Sequence, residues 1–294
     1  MKDFCKKGRI EGLEIAVAFV DASSAVNEAV LLHDCDPVSA HLIGRAISSA
    51  ALSASVLSND QRINLSWRYK GALKAIVVDA GQDGSLRATI SPNHIAGISD
   101  NSEELYGDIG EIQAVVSSNG KVINSGTTPV SLHDVVNDLA YHFCISDQIE
   151  TSISSLIGFS NNEKTPVSLA RGMIIQALPN CDIEVFDRIR LRLEKPESKE
   201  LLRNESDKGI FDKIIKLLIK DEPSYLKHHI VDELPPFFSC TCSFEKMGAV
   251  MRSIPIPERM AIVKEGKEIS INCHFCRKKY TLTIEECILF WNQK

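Results

Sequence analysis

No stretch of this sequence approaches the roughly 20 consecutive apolar residues that a membrane-spanning helix needs. The basic start, MKDFCKKGRIEGLEIAVAF, lacks a long apolar segment ending at a small-residue cleavage site. The expected location is therefore the cytoplasm. Positive charge is in deficit as well, with 33 Lys and Arg against 39 Asp and Glu and a net charge of −6. That balance argues against a nucleic-acid partner, because phosphate binding depends on clustered cations and this chain has no aromatic-rich basic groove. No glycine-rich nucleotide loop and no nucleophile-elbow motif occurs, and the single Cys-x-x-Cys lacks the βαβ pattern of a thioredoxin-like catalyst. These absences argue against an enzyme. Internal repeats and low-complexity tracts are missing too.

What is present describes a globular α+β chain. A hydrophobic content of 44% and a charged content of 24% are ordinary for a folded protein, and 294 residues allow two domains and a connector. Residues from Arg9 to about Val20 are β-permissive. Asp36-Pro37 then opens a long Ala-, Leu- and Ile-rich run with a capping residue before a first-turn proline, the signature of a largely buried helix. Ile63, Leu65, Trp67 and Tyr69 alternate with polar residues, and AIVVDA, GQDG and LRATIS follow as a strand, a tight turn and a strand. A twisted antiparallel sheet is expected, with weaker strand signals between Tyr106 and Pro129. Leu132, Val136, Leu139 and Phe143 recur at helical spacing, with Asp134, Asn137 and Asp138 on the other face.

The segment MIIQALP, ending at Pro179, reads as the last strand of a first domain. Beyond it the composition turns densely charged, so the core domain is expected to span 1–185, a helical linker 186–236 and a small C-terminal domain 237–294. Within the linker Ile210, Ile214, Leu217 and Leu218 share one helix face, and Pro196, Gly209 and Pro223 punctuate the segment. Short amphipathic helices of this kind owe most of their stability to docking on a neighbour.

Chemistry concentrates in four of the nine cysteines. Cys240 and Cys242, in FSCTCSFEK, and Cys273 and Cys276, in NCHFCRKKY, are two close thiol pairs separated by the 30 residues from Ser243 to Asn272. Such pairs can close a tetrahedral sulfur shell around one zinc ion, and the same thiols can form two disulfides when oxidised. Arg277, Lys278 and Lys279 follow the second pair and favour its thiolate form. His274 is adjacent in sequence to Cys273 and poorly aimed at the same ion. Cys5, Cys35, Cys144, Cys181 and Cys287 are scattered and read as small buried hydrophobes, Cys287 on the apolar face of a terminal helix.

Taken together, Phe238, Cys240, Cys242, Ser243, Cys273, Phe275, Cys276 and Tyr280 resemble the zinc signature of the redox-regulated 33 kDa heat-shock chaperone family. HDCDPVSAHLIGRAISSAALSASVL, AIVVDAGQDGSLRATISP, DLAYHFCISDQIETSI and GMIIQALP resemble segments of that family's core domain, so the likeness covers nearly the whole chain. It implies an ATP-independent holdase that keeps one zinc on Cys240, Cys242, Cys273 and Cys276 when reduced and inactive. On oxidation it implies two disulfides, Cys240 with Cys242 and Cys273 with Cys276, followed by zinc release, linker unfolding, homodimer formation and capture of unfolded client proteins. The chain departs from the family pattern between about Asn93 and Thr128, and at Arg277, where the family often has a small polar residue.

Spacing alone leaves other readings open. A purely structural zinc ribbon would carry the same four thiols. A nucleic-acid-binding ribbon would use Arg277, Lys278 and Lys279 as phosphate contacts and show salt-dependent binding. A thiol-disulfide oxidoreductase would turn over a disulfide substrate.

Overall fold

Strands β1 (Phe4–Ile10) and β2 (Ile15–Asp21) form a hairpin turned at Gly12, whose φ of 84° suits a residue without a Cβ. This computed structural model describes residues 3–95, 97–98, 103–204, 209–223 and 227–292. The α+β chain divides into two units, Met1–Phe238 and Ser239–Lys294.

In the larger unit, α1 (Ser23–His33) and α2 (Pro37–Ser55) follow the hairpin. Asp36 caps α2 by accepting a hydrogen bond from the Ser39 N–H at 2.7 Å, with Pro37 at the first helical position, as the sequence predicts. Then come β3 (Gln61–Tyr69), β4 (Ala75–Gly81), β5 (Ser85–Ser91), the short α3 (Glu103–Tyr106), β6 (Gly110–Ser118), β7 (Lys121–Pro129) and α4 (Val135–Ser146). The unit continues through β8 (Thr151–Phe159), β9 (Val167–Ala177), α5 (Ile183–Leu193), α6 (Pro196–Asn204), α7 (Ile210–Leu218), β10 (His228–Glu233) and β11 (Phe237–Phe238).

The strands build two sheets, ordered β10-β1-β2-β9-β8 and β11-β5-β4-β3-β6-β7. All pairings are antiparallel except β11 with β5. Helix α2 lies between them and is buried from both sides, which explains its run of Ala, Ser and Gly: small side chains let two sheets approach one helix. A Cβ at Gly44 would come within 3.0 Å of Ile157 Cδ1 and 3.1 Å of Val26 Cγ1.

Strand β2 is apolar on both faces. Ala18 and Val20 join the core around α2, while Ile15, Val17 and Phe19 point the other way, beside Met173 and Ile175 of β9. That outer face would be exposed if the strands stood alone. Phe186, Ile189, Leu193, Leu202, Ile210, Phe211, Ile214, Ile215 and Leu218 of α5, α6 and α7 cover it. At ~25 cal/mol per Å², burying a side chain such as Phe211 contributes about 1.5–3 kcal/mol of docking free energy.

A charged pair lies in the same apolar layer. Asp21 and Arg171 are cross-strand neighbours on β2 and β9, joined at 2.8 Å with side chains 1% and 2% exposed. Arg171 also donates to the Leu202 carbonyl of α6 at 3.3 Å. The helices are tied to one another by Arg192, which donates to Leu218 O at 2.6 Å, Glu222 Oε1 at 3.1 Å and Asp221 Oδ2 at 3.0 Å.

Several expectations change. Residues 228–233, in the segment read as a helical linker, form an edge strand on β1. Leu132 precedes α4 and is exposed, so it is not on that helix's apolar face. Asp138 is fully buried instead of facing solvent. Its carboxylate accepts hydrogen bonds from the N–H groups of Ser131 (3.2 Å), Leu132 (2.9 Å) and Asp134 (3.2 Å) and from the Tyr69 hydroxyl (3.0 Å). Helical spacing cannot reveal that role, since the carboxylate satisfies the turn before its own helix. Cys5 is buried as expected, but Cys35, Cys144 and Cys181 are only half-buried, and burial pushes the Cys144 and Cys181 thiols up. Among the described residues no helix is long and apolar enough to cross a membrane.

Candidate metal centre

The smaller unit buries few of its apolar side chains, leaving Ile256, Met260 and Leu289 among those exposed. Its elements are α8 (Phe244–Val250), a 3-10 turn at Met251–Ser253, α9 (Ile256–Glu265), the antiparallel pair β12 (Ile269–Asn272) and β13 (Lys279–Leu282), and α10 (Ile284–Asn292). Among the described residues its buried cluster is Met251, Leu282, Cys287 and Phe290, with Phe244, Ile254, Ile269, Ile271 and Trp291 packed around it. A domain of this size with so small a core needs another source of stability. Local signals shape what there is. Thr283 and Glu286 form a reciprocal cap on α10, and the Trp291 Nε1–H donates to Met251 O at 2.9 Å.

Gly248 of α8 faces Phe290 so closely that any Cβ there would run into the ring. Gly248→Val is therefore expected to destabilise the smaller unit by about 1–3 kcal/mol through overpacking. Thermal melting followed at Trp291 checks this, and an unchanged transition would contradict the packing.

The two cysteine pairs meet across this unit. Cys240 and Cys242 precede Ser243, which caps α8 by accepting from the Lys246 N–H at 3.2 Å, while the Lys246 ammonium donates to Thr241 O at 2.6 Å. Cys273 and Cys276 occupy the loop joining β12 to β13. The Cys273 N–H donates to Lys278 O and the Arg277 N–H to Cys273 O, both at 2.9 Å, and Arg277 turns the chain with φ 57°. A left-handed turn residue explains why a small or flexible side chain would also suit that position.

All four sulfurs lie within 4.8 Å of one another. Cys240 Sγ is 3.7 Å from Cys273 Sγ, and Cys242 Sγ is 3.3 Å from Cys276 Sγ. Tetrahedral zinc with bonds of about 2.3 Å separates its sulfurs by about 3.8 Å, so the cluster has the dimensions and the donor chemistry of a closed S4 site. Four sulfur donors with no carboxylate favour a soft or borderline ion over calcium or magnesium. His274 is exposed and outside the cluster, as its sequence position suggests. Cys287 is buried on α10 within the apolar cluster, also as expected.

The thiols do not share one proton affinity. Burial raises the Cys276 thiol, and hydrogen bonds with the neighbouring thiols add to that, bringing it to about 12. Burial raises Cys240 too. For Cys242 burial acts in the same sense but is outweighed by hydrogen bonds, first from Tyr280 and then from the other thiols, which bring it to about 7. The Tyr280 hydroxyl lies 3.1 Å from Cys242 Sγ. Alternation along Lys279-Tyr280-Thr281-Leu282 could have flagged Tyr280 as inward-facing; the hydrogen bond itself leaves no mark in spacing.

The family described as "Hsp33 protein" matches residues 3–283. A 33 kDa chaperonin of Clostridium botulinum (strain 657 / Type Ba4) is 28% identical over 299 aligned positions, covering 97% of this chain and 96% of the relative. A 33 kDa chaperonin of Clostridium perfringens (strain SM101 / Type A) is 28% identical over 280 positions, covering 92% and 86%. The crystal structure of a 33 kDa chaperonin, the heat shock protein 33 homolog of Thermotoga maritima, superposes with a TM-score of 0.80 at 18% identity, over 99% of this chain and 98% of that one, and shows a shared fold. The family match across nearly the full length, together with four converging cysteines in the smaller unit, places the chain in the Hsp33 family of chaperones.

Proposed function

We propose that this chain is an oxidation-controlled, ATP-independent holdase of the cytoplasm, with zinc on Cys240, Cys242, Cys273 and Cys276 in its reduced form. One observation carries the reading: four sulfurs converge in a unit whose apolar core is too small to hold it, so metal and fold stand or fall together. Oxidation forms the Cys240–Cys242 and Cys273–Cys276 disulfides, takes the sulfurs away from the metal, and so removes the main restraint on the smaller unit.

The linker, 186–236, is the element that responds. Its helices are short and amphipathic and are held by docking on β1, β2 and β9. Cys240 follows β11 by two residues in the chain, and β11 is held in the larger unit's second sheet, with the Phe237 N–H donating to Gly84 O at 2.9 Å. Unfolding of the C-terminal unit frees the end of this segment. Once α5, α6 and α7 lift, Ile15, Val17, Phe19, Met173 and Ile175 become available to the apolar segments of unfolded client proteins, and a second copy can cover the same kind of surface in a homodimer. The thiols act once per oxidation and drive no turnover, in keeping with a chaperone and not an enzyme.

The test is suppression of light scattering by a thermally unfolding client, without ATP. The reduced, zinc-loaded protein is expected to suppress poorly, and the same protein after peroxide with mild heat, or hypochlorite, to suppress well. Equal suppression in both states would reject redox control.

A further inference from the structure

We propose that the Tyr280 hydroxyl is a positioning group that restrains oxidation of Cys242 and so sets how readily the centre responds to peroxide. This inference rests on the redox reading above. It begins from an asymmetry among the sulfurs. Cys240 Sγ faces another thiol, Cys273 Sγ at 3.7 Å, and Cys276 Sγ faces Cys242 Sγ at 3.3 Å. At Cys242 there is a further donor, the Tyr280 hydroxyl at 3.1 Å.

The placement of that hydroxyl is fixed from three sides. Tyr280 is 8% exposed, it is paired with Ile271 across β12 and β13, and the Lys278 ammonium stands 5.2 Å from its ring centroid. Burial of the Tyr280 side chain restricts where its hydroxyl can point, and a cation over the ring draws electron density from it and strengthens the hydroxyl as a donor. Groups of this kind around sulfur ligands commonly tune the ligand as much as they orient it.

The chemistry restrained is a two-electron step. The sulfur lone pair attacks a peroxide oxygen; an S–O bond forms as the O–O bond breaks, and hydroxide leaves. A neighbouring thiolate then attacks the sulfenic sulfur, forming the S–S bond and expelling the second oxygen as hydroxide. Two thiolates lose two electrons in all, and the peroxide, once protonated, ends as two waters. A hydrogen bond from Tyr280 occupies the lone-pair density that the first attack requires.

The experiment uses the full-length, zinc-loaded protein, Tyr280→Phe and Lys278→Ala, with hydrogen peroxide as oxidant. Zinc release is followed with a chromogenic chelator, and each cysteine is quantified by mass spectrometry after rapid alkylation. Tyr280→Phe keeps the ring and is expected to release zinc about fivefold faster, the size of one net hydrogen bond, with the added oxidation appearing first at Cys242. Lys278→Ala leaves the ring in place and is expected to accelerate release about twofold in the same order. Wild-type rates in both variants, or acceleration spread evenly over the four cysteines as general loosening would give, overturns the proposal while leaving the redox reading intact. A wild-type protein that binds no zinc, or keeps its zinc and thiols under peroxide, overturns both.

Discussion

Cys273→Ser is expected to lower zinc affinity by about a hundredfold or more and to unfold the Ser239–Lys294 unit under reducing conditions. A structural zinc site of four sulfurs contributes about 10–16 kcal/mol of apparent binding free energy at neutral pH, so one ligand accounts for about 3 kcal/mol. The buried cluster of Met251, Leu282, Cys287 and Phe290 cannot offset that loss. Chelation of zinc from the wild-type protein should reproduce the effect, because both treatments remove the same restraint. Limited proteolysis between Ser243 and Asn272, with metal content measured in parallel, checks the expectation. Full zinc occupancy and unchanged protease resistance in Cys273→Ser would show that this sulfur is not a ligand.

The second large effect concerns the buried pair beneath α6. Arg171→Met leaves the Asp21 carboxylate 1% exposed and without its 2.8 Å guanidinium partner, although the Ser23 hydroxyl and N–H still donate to it at 2.6 and 3.1 Å. Breaking a buried pair from one side costs about 3–5 kcal/mol, because the remaining charge keeps its desolvation penalty. The same substitution removes the 3.3 Å hydrogen bond from Arg171 to the Leu202 carbonyl, and so a tie between the sheet and α6. The variant is therefore expected to hold clients in the reduced, zinc-loaded state.

Replacing both partners, as Asp21→Leu with Arg171→Met, removes the charge altogether. That double variant is expected to be neutral or more stable by about 1–4 kcal/mol, to keep its linker docked, and to require harsher oxidation for activation. Client protection and hydrogen exchange over α5 to α7 separate the two cases. If single and double variants behave alike, the ion pair has no part in poising the linker.

How much of this was legible in the sequence depends on how local each signal was. Asp36-Pro37 specified the start of α2, and the alternation from Ile63 to Tyr69 specified β3, because capping and pleat period are properties of neighbouring residues. The four cysteines were equally plain, since ligand type and close spacing carry the chemistry. What spacing could not show was partnership over long sequence distance. Strand β10 pairs with β1 across more than 200 residues and interrupts an otherwise charged and helical segment. Asp138 has the helical spacing of a solvent-facing residue, yet its carboxylate accepts from three N–H groups and from the Tyr69 hydroxyl. Arg171 belongs to an apolar strand whose outer face is covered by helices from the dense charge run that follows it, so neither its burial nor its place in the linker interface follows from periodicity.

The central claim is that the sulfur-bound metal governs whether the linker stays docked. Its most direct test is one time course of peroxide oxidation in which zinc release, free thiols and hydrogen exchange across α5, α6 and α7 are read from the same samples. The account predicts one zinc released and four of the nine thiols lost, with protection in those helices falling in step. Loss of zinc and of the four thiols with the helices still fully protected would contradict it.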